Sequence, residues 1–536
     1  MGQSSDGGLV LELICKGGDG DDCVSGQRKK MVPMLESYVK KILASRVYDL
    51  AVETPLSPAP LLSARLGAEI WLKREDLQPI FSFKLRGSYN RMAQLSDAEK
   101  ARGVIAASAG NHAQGVAMAA AALGIKATIV MGRNTPSIKI DAVRARGAKV
   151  VLHGDGFPDA AAHAQMLQQR EGMTFVHPYD DVEVIAGQGT VGMEIVNQHP
   201  GQPDAVFVPV GGGGLLAGIA AYVKYLYPQT KIIGVEAQGS ACMHAALAAG
   251  RRIKLSEKSL DLFADGVSVA QAGKEPFKIA RRYVDDVVVC SVDEICAAIK
   301  DIFEETRVIA EPAGALAVAG LKQYLGTHAL QSVVAVLSGA NVNFDRLRHI
   351  SERAEIGEQR EGLFAVTIDE TQGSFLKFCR SLGKRSITEF NYRWASTSQA
   401  HIYVGLQMNN PSDRTLVQQE LSSKGYAVVD MTENEIAKLH VRHMVGGRKP
   451  GDSDELLFRF EFPERPGALM TFLSGVGSDW NITLFHYRNH GAAYGRVLVG
   501  FQARSAERTR LVSYLQRIGY RFWEENDNPA YQLFLK

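Results

Sequence analysis

The sequence predicts an α/β protein in three parts: a two-lobed, mostly parallel α/β domain, then two ferredoxin-like βαββαβ domains. Three observations carry this. From Val32 to about Ile350, short β-branched runs alternate with alanine-rich segments of helical composition, the pattern of parallel sheets covered on both faces. Beyond Glu358 that alternation stops and the composition shifts. Within this second part, two segments repeat each other at an offset of 94–95 residues.

At 536 residues the chain is several times the usual domain of about 100–200, so more than one core is expected. With 60 Lys+Arg against 58 Asp+Glu and no long basic block, nothing calls for nucleic acid or an anionic membrane surface. No run of about 18 apolar residues is present to span a bilayer. The six cysteines include no Cys-x-x-Cys pair and are scattered, which fits a reduced, cytoplasmic setting better than a disulfide framework. His440 and His443 are expected to be an exposed pair rather than metal ligands, and no metal is expected.

Residues 1–33 are expected to be a disordered extension. Gly17-Gly18-Asp19-Gly20-Asp21-Asp22 is too polar to pack, and Gln27-Arg28-Lys29-Lys30 is a charge cluster. Leu9-Val10-Leu11 is broken by Glu12 and has no basic residues before it, which argues against a secretory signal, and the acidic residues nearby argue against a transit peptide. Met31 or Met34 would serve equally well as a start. The first large domain is placed at 34–355 and the repeats at 362–446 and 455–536.

In the first domain, strands are expected at Ile70-Trp71-Leu72, 103–107, 127–131, 149–152, 205–210, 231–235, 287–290 and 332–337. Helical segments include 88–95, 138–146 and 159–169. Four stretches carry chemistry. Phe81-Ser82-Phe83-Lys84-Leu85-Arg86-Gly87 sets one lysine among apolar neighbours. A lysine amine titrates near about 10.4 and is a poor nucleophile unless burial or a nearby cation, here Arg86, lowers that value. Ser108-Ala109-Gly110-Asn111-His112 joins a strand to a helix and offers backbone amides to a carboxylate. Gly211-Gly212-Gly213-Gly214-Leu215 follows Val206–Val210 and can wrap a phosphate at a helix start. Ser338 ends the run Val333–Leu337, at the edge where open α/β sheets place ligands. A lysine, a phosphate cradle, an anion-binding turn and a strand-end hydroxyl together suit pyridoxal phosphate. A rival reading takes Gly212-x-Gly214-x-x-Ala217, with Glu236 about 20 residues on, as a dinucleotide fingerprint; a hydride-transfer site has no need of the lysine.

In wording and order these motifs resemble the fold-type II pyridoxal-phosphate enzymes, whose catalytic domain is two-lobed and similar to the tryptophan synthase β subunit. With Gly187-Gln188-Gly189-Thr190 and Glu311-Pro312-Ala313-Gly314-Ala315, the resemblance narrows to the threonine dehydratase (threonine ammonia-lyase) family in its long, biosynthetic form. It implies that Lys84 holds pyridoxal 5'-phosphate and acts as base, and that Gly211, Gly212, Gly213, Gly214 and Leu215 cradle the phosphate. It further implies that Asn111 meets the ring hydroxyl, Ser338 the ring nitrogen, and Ser108, Ala109, Gly110, Asn111 and His112 the substrate carboxylate.

The repeat pairs Gly373–Phe378 with Gly467–Phe472, Ile387–Arg393 with Ile482–Arg488, and Gly425-Tyr426 with Gly519-Tyr520. The copies resemble the tandem ACT-like regulatory domains of the same family, with Phe462-Pro463-Glu464-Arg465-Pro466-Gly467 the sharper motif. The resemblance implies threonine as substrate with serine as a second, isoleucine as inhibitor, valine as its antagonist, and a cytoplasmic homotetramer. A racemase, a catabolic dehydratase or a cysteine-synthase-like enzyme would share the first domain without this tail, and an amino-acid sensor would not need the intact lysine site.

Overall fold

Runs such as Val206-Phe207-Val208 and Val333-Val334-Ala335-Val336-Leu337 are apolar on both sides of the strand, and both are fully buried at the centre of a six-stranded sheet. The computed structural model describes residues 25–369, 377–378, 381–382, 385, 387–394, 399–443, 455–463, 472, 480–488 and 494–535. In the large lobe the strand order is Leu56–Pro58, Glu69–Arg74, Ser332–Leu337, Ala205–Pro209, Lys231–Ala237, Asp286–Cys290. Only the first of these runs antiparallel to its neighbour. The small lobe is an all-parallel sheet in the order Lys149–Leu152, Ala127–Met131, Val104–Ala107, Thr174–Phe175. The strands expected at 127–131, 149–152 and 332–337 have those bounds in the structure.

Two helices differ from expectation. The one expected over 88–95 spans Lys84–Ala93, so the lysine is its first residue. At the N-terminus, a helix over Ser25–Leu43 enters the stretch expected to be disordered; residues 1–24 lie outside the described residues. Lysine, arginine and glutamine are good helix formers, so the Gln27–Lys30 cluster continues the helix. Its later turns set Leu35, Tyr38, Val39 and Ile42 against helices Val182–Gln198 and Gly214–Leu226.

Past Glu358 the chain forms two four-stranded antiparallel sheets of one topology. The first runs Ile387–Trp394, Gln399–Gln407, Glu361–Asp369, Ala427–Asp430, and the second Asn481–Arg488, Tyr494–Gln502, Glu455–Pro463, Arg521–Glu524. In chain order both read 2-3-1-4, the ferredoxin-like arrangement. Both break register at the same place, between Ile387 and Glu389 in one copy and between Ile482 and Leu484 in the other. The glycine-started helices expected at 373–378 and 467–472 fall almost wholly outside the described residues. The copies share a core: Leu363, Ala365 and Tyr403 of the first pack with Leu457, Leu498, Tyr531 and Phe534 of the second.

Candidate active site

The segment before Lys84 is tied to the end of strand Ser332–Leu337. Ser82 bridges to Gly339, the Phe83 amide donates to Ser338 O at 3.2 Å, and the Ala340 amide donates to Phe81 O at 2.9 Å. Phe81 has φ +56°, left-handed backbone that a non-glycine residue seldom adopts, and this turn starts the helix at Lys84. Residues about 250 apart in sequence are thereby placed side by side. The Lys84 ammonium donates to Pro178 O at 2.9 Å and lies 5.2 Å from the Phe83 ring centre. Burial lowers its pKa to about 8, against an opposing pull from Glu311. Arg86 has no part in this, contrary to expectation. It is fully buried on another side of the helix, where its guanidinium binds both Glu75 and Glu194.

The Ser108–His112 turn ends strand Val104–Ala107 and opens helix Asn111–Leu123. Ser108 Oγ accepts from the Gly110 amide at 3.2 Å. Asn111 Nδ2 donates to Glu311 Oε1 at 2.6 Å, and its Oδ1 accepts from Asn341 Nδ2 at 2.7 Å. The His112 imidazole points into the lobe, where Nε2–H donates to Val176 O at 2.8 Å and Nδ1 accepts from Ser88 Oγ at 3.4 Å. Burial, with help from the Lys84 charge, pushes its pKa down to about 3, so the ring stays neutral. What this turn can offer an anion is backbone amide rather than imidazolium.

Across the cleft, Gly211–Leu215 runs from strand Ala205–Pro209 into helix Gly214–Leu226. A Cβ on Gly212 would stand 2.2 Å from the Tyr179 ring, and Gly213 has φ +93°, so side chains are excluded and the backbone lies against the cleft. The first amides of a helix lack intrahelical acceptors, so these residues fit a phosphate. The dinucleotide reading fails at its acidic residue. Glu236 is fully buried and accepts from the Met243 and His244 amides at 2.9 and 2.7 Å, leaving no carboxylate for a ribose.

Ser338 is 3% exposed, with Oγ donating to Ala313 O at 3.4 Å. Lys84, Ser108–His112, Gly211–Leu215 and Ser338 all line one cleft between the lobes. Sequence reasoning gave no role to Glu311 or Asp265, which line it too. Glu311 is buried, and burial, with Asp265 nearby, raises its pKa to about 7. Its only sequence signal was the motif Glu-Pro-Ala-Gly-Ala, which says nothing of a partner 200 residues away. His440, expected to be exposed, is fully buried, its amide closing the short helix Glu435–Leu439 onto Ile436 O. Among the described residues no cluster could hold a metal ion, and no helix is long and apolar enough to cross a membrane.

Fold and cleft together define the class, a pyridoxal-phosphate dependent enzyme, and the family model of that description matches residues 47–339. A second, the C-terminal regulatory domain of threonine dehydratase, matches 352–441 and again 446–535. The chain is 54% identical over 503 residues to L-threonine dehydratase biosynthetic IlvA of Burkholderia multivorans, covering 93% of this chain and 99% of that one. It is 52% identical over 506 residues to the enzyme of the same name from Pasteurella multocida, covering 94% and 98%. The solved structure of the processed form of threonine deaminase isoform 2 from Solanum lycopersicum matches with a TM-score of 0.59 at 50% identity, over 60% of this chain and 94% of that one. The chain belongs to the biosynthetic threonine dehydratase family, and its cofactor is pyridoxal phosphate.

Proposed function

We propose that the protein converts L-threonine to 2-oxobutanoate and ammonia by β-elimination, acts on L-serine likewise, and is inhibited by isoleucine bound to its C-terminal pair. The observation that carries the catalytic part is the Lys84 amine, its pKa lowered by burial to about 8, in one cleft with a glycine loop that fits a phosphate. When bound, pyridoxal phosphate supplies an electron sink for the charge left on Cα as its proton departs. Lys84 would hold the cofactor, and its amine, neutral once freed, would take the Cα proton of the substrate. The Gly211–Leu215 amides would bind the phosphate, Asn111 would donate to the ring hydroxyl, and the amides of the Ser108–His112 turn would orient the substrate carboxylate. Ser338 would meet the ring nitrogen with a hydroxyl, which carries no charge and would hold no extra proton there as an acid would. That keeps the sink weak and favours prompt loss of the β-hydroxyl over racemisation or transamination. The elimination releases water, and hydrolysis of the enamine then gives the oxoacid and ammonia.

Names of the relatives support threonine as substrate, and the matched regulatory domain supports an amino-acid effector. Isoleucine is the effector proposed, valine its competitor, and a cytoplasmic homotetramer the working form. Purified protein incubated with threonine should release an α-keto acid detectable as its hydrazone. Cofactor-loaded protein, coloured but releasing none, would overturn the proposal.

A further inference from the structure

Asn111 is held from both ends of its side-chain amide. Oδ1 accepts from Asn341 Nδ2, which also donates to Ile80 O at 2.7 Å, and Nδ2 donates to Glu311 Oε1. A flipped amide would set Nδ2 against a nitrogen donor and Oδ1 against a carboxylate oxygen, so the ionised form of Glu311 admits a single orientation. That orientation leaves one Nδ2 hydrogen free for the cleft, and only a donor there suits an oxygen on a bound ring.

The space for the carboxyl is made by a missing side chain: a Cβ on Gly339 would stand 2.5 Å from Glu311 Oε1. Glu311 sits immediately before helix Pro312–Leu325 and its backbone amide donates to Gly339 O at 3.2 Å, so the carboxyl is built into the same strand end that carries Ser338. The charged groups acting on it are Lys84 at the start of its helix, Asp265 and Arg346 from the large lobe, and Lys139 from helix Ser137–Arg144 of the small lobe. Lys139 and Arg346 both pair with Asp265, at 2.6 and 3.7 Å, so their charge is largely spent on that carboxylate.

We propose that Glu311 is a positioning residue for the cofactor: it fixes the Asn111 amide that meets the ring hydroxyl, and its own ionisation sets the charge beside that hydroxyl and beside Lys84. This rests on the assignment of Lys84 and Asn111 to the cofactor. Burial, then Asp265, raises the carboxyl to about 7, so it changes charge near neutrality. Above that pH the carboxylate strengthens the Asn111 donation and favours a positive charge on the lysine nitrogen. Below it both effects weaken.

The test is the visible spectrum of the cofactor-bound protein, titrated from pH 5.5 to 8.5 without substrate, which needs no turnover. The wild type should show a spectral step with a midpoint near 7. Glu311→Gln, which keeps an acceptor for Asn111 but cannot ionise, should abolish the step and hold the cofactor with little loss of affinity. Glu311→Ala, which leaves the Asn111 donor without its acceptor, should weaken cofactor affinity by about tenfold. Asp265→Asn removes a charge that raises the carboxyl and should move the midpoint down, a check that survives should Glu311→Gln fail to fold. A wild type with no step near 7, a midpoint unchanged in Glu311→Gln, or a midpoint unmoved in Asp265→Asn would overturn the proposal. Borohydride trapping with peptide mapping separates the two readings. An adduct away from Lys84 sinks the site assignment itself, whereas an adduct at Lys84 with an unaltered titration sinks only the role of Glu311.

Discussion

The Lys84 amine is under two opposed influences, burial lowering its pKa and Glu311 raising it, and burial wins. Only the neutral amine attacks an aldehyde, and a pKa near 8 against about 10.4 for a free lysine multiplies the neutral fraction at pH 7 by roughly two hundred. After the cofactor is stripped, its recombination rate should rise with pH and level off above about 8. A rate still climbing steeply at pH 10 would mean that the amine is not shielded as described. Lys84→Ala should lose the visible absorbance and essentially all elimination activity. The lysine and the burial that lowers its pKa were legible because its apolar neighbours are local; the second cause expected, Arg86, fails, since it stands two residues away in sequence but turns to Glu75 and Glu194. At Ser338, replacement by Asp should let the ring nitrogen hold a proton. Racemised substrate or transaminated cofactor should then appear beside the oxoacid, and an unchanged product mixture with cofactor bound would count against the proposed contact.

Between elements, one cluster of charges is deeply enclosed. Lys73, Glu75 and Arg86 are wholly buried and Glu194 is 1% exposed. Glu194, from helix Val182–Gln198, binds Arg86 of the Lys84 helix and Lys73 of strand Glu69–Arg74 at 2.6 Å, and also accepts from Tyr48 and the Thr54 amide. Two cations and two carboxylates balance, which is what makes the burial tolerable, and the cluster sets the helix that carries the lysine. Glu194→Gln leaves two cations facing one carboxylate and should cost about 3–5 kcal/mol, read as a lower urea midpoint. A midpoint within error of the wild type would show that the cluster contributes nothing to folding. The run Lys73-Arg74-Glu75-Asp76 gave no hint of this because Glu194, which joins Lys73 to Arg86, lies more than 100 residues away in sequence. By contrast, the ferredoxin-like sheets were legible because duplication supplied an internal check, and the matching register breaks after Ile387 and Ile482 repeat it in the backbone.

At the scale of the whole molecule, the catalytic part and the first regulatory copy meet through charge. Asp293 and Arg353 belong to helices Val292–Thr306 and Leu347–Gly357, and Glu435 and Lys438 to the short helix Glu435–Leu439. Arg353 pairs with Asp293 and, at 2.8 Å, with Glu435, while Lys438 reaches Asp293 at 2.6 Å. Arg442 of the same copy adds a bond to Glu352 O of helix Leu347–Gly357 at 3.1 Å. Against the cost of burial, the cations hold Asp293 and Glu435 below their usual range. Groups lowered in this way contribute stability above their unfolded values and lose it as pH falls below about 4, so the junction should hold at neutral pH.

An effector acts only through a difference in affinity between two arrangements, and couplings of about 1–3 kcal/mol are typical. If this junction carries the isoleucine signal, Lys438→Met should raise the inhibitor concentration needed for half effect by about fivefold or more, with the rate in its absence unchanged. Lys438→Arg, which keeps a positive charge facing Asp293, should retain the response, which separates loss of the charge from mere loosening. A chain ending at Gly357 should keep elimination and ignore isoleucine, although Ile356 then loses its cover and solubility should fall. An isoleucine titration of Lys438→Met that overlays the wild type at subsaturating threonine would place the coupling elsewhere and leave this charge cluster as an attachment only.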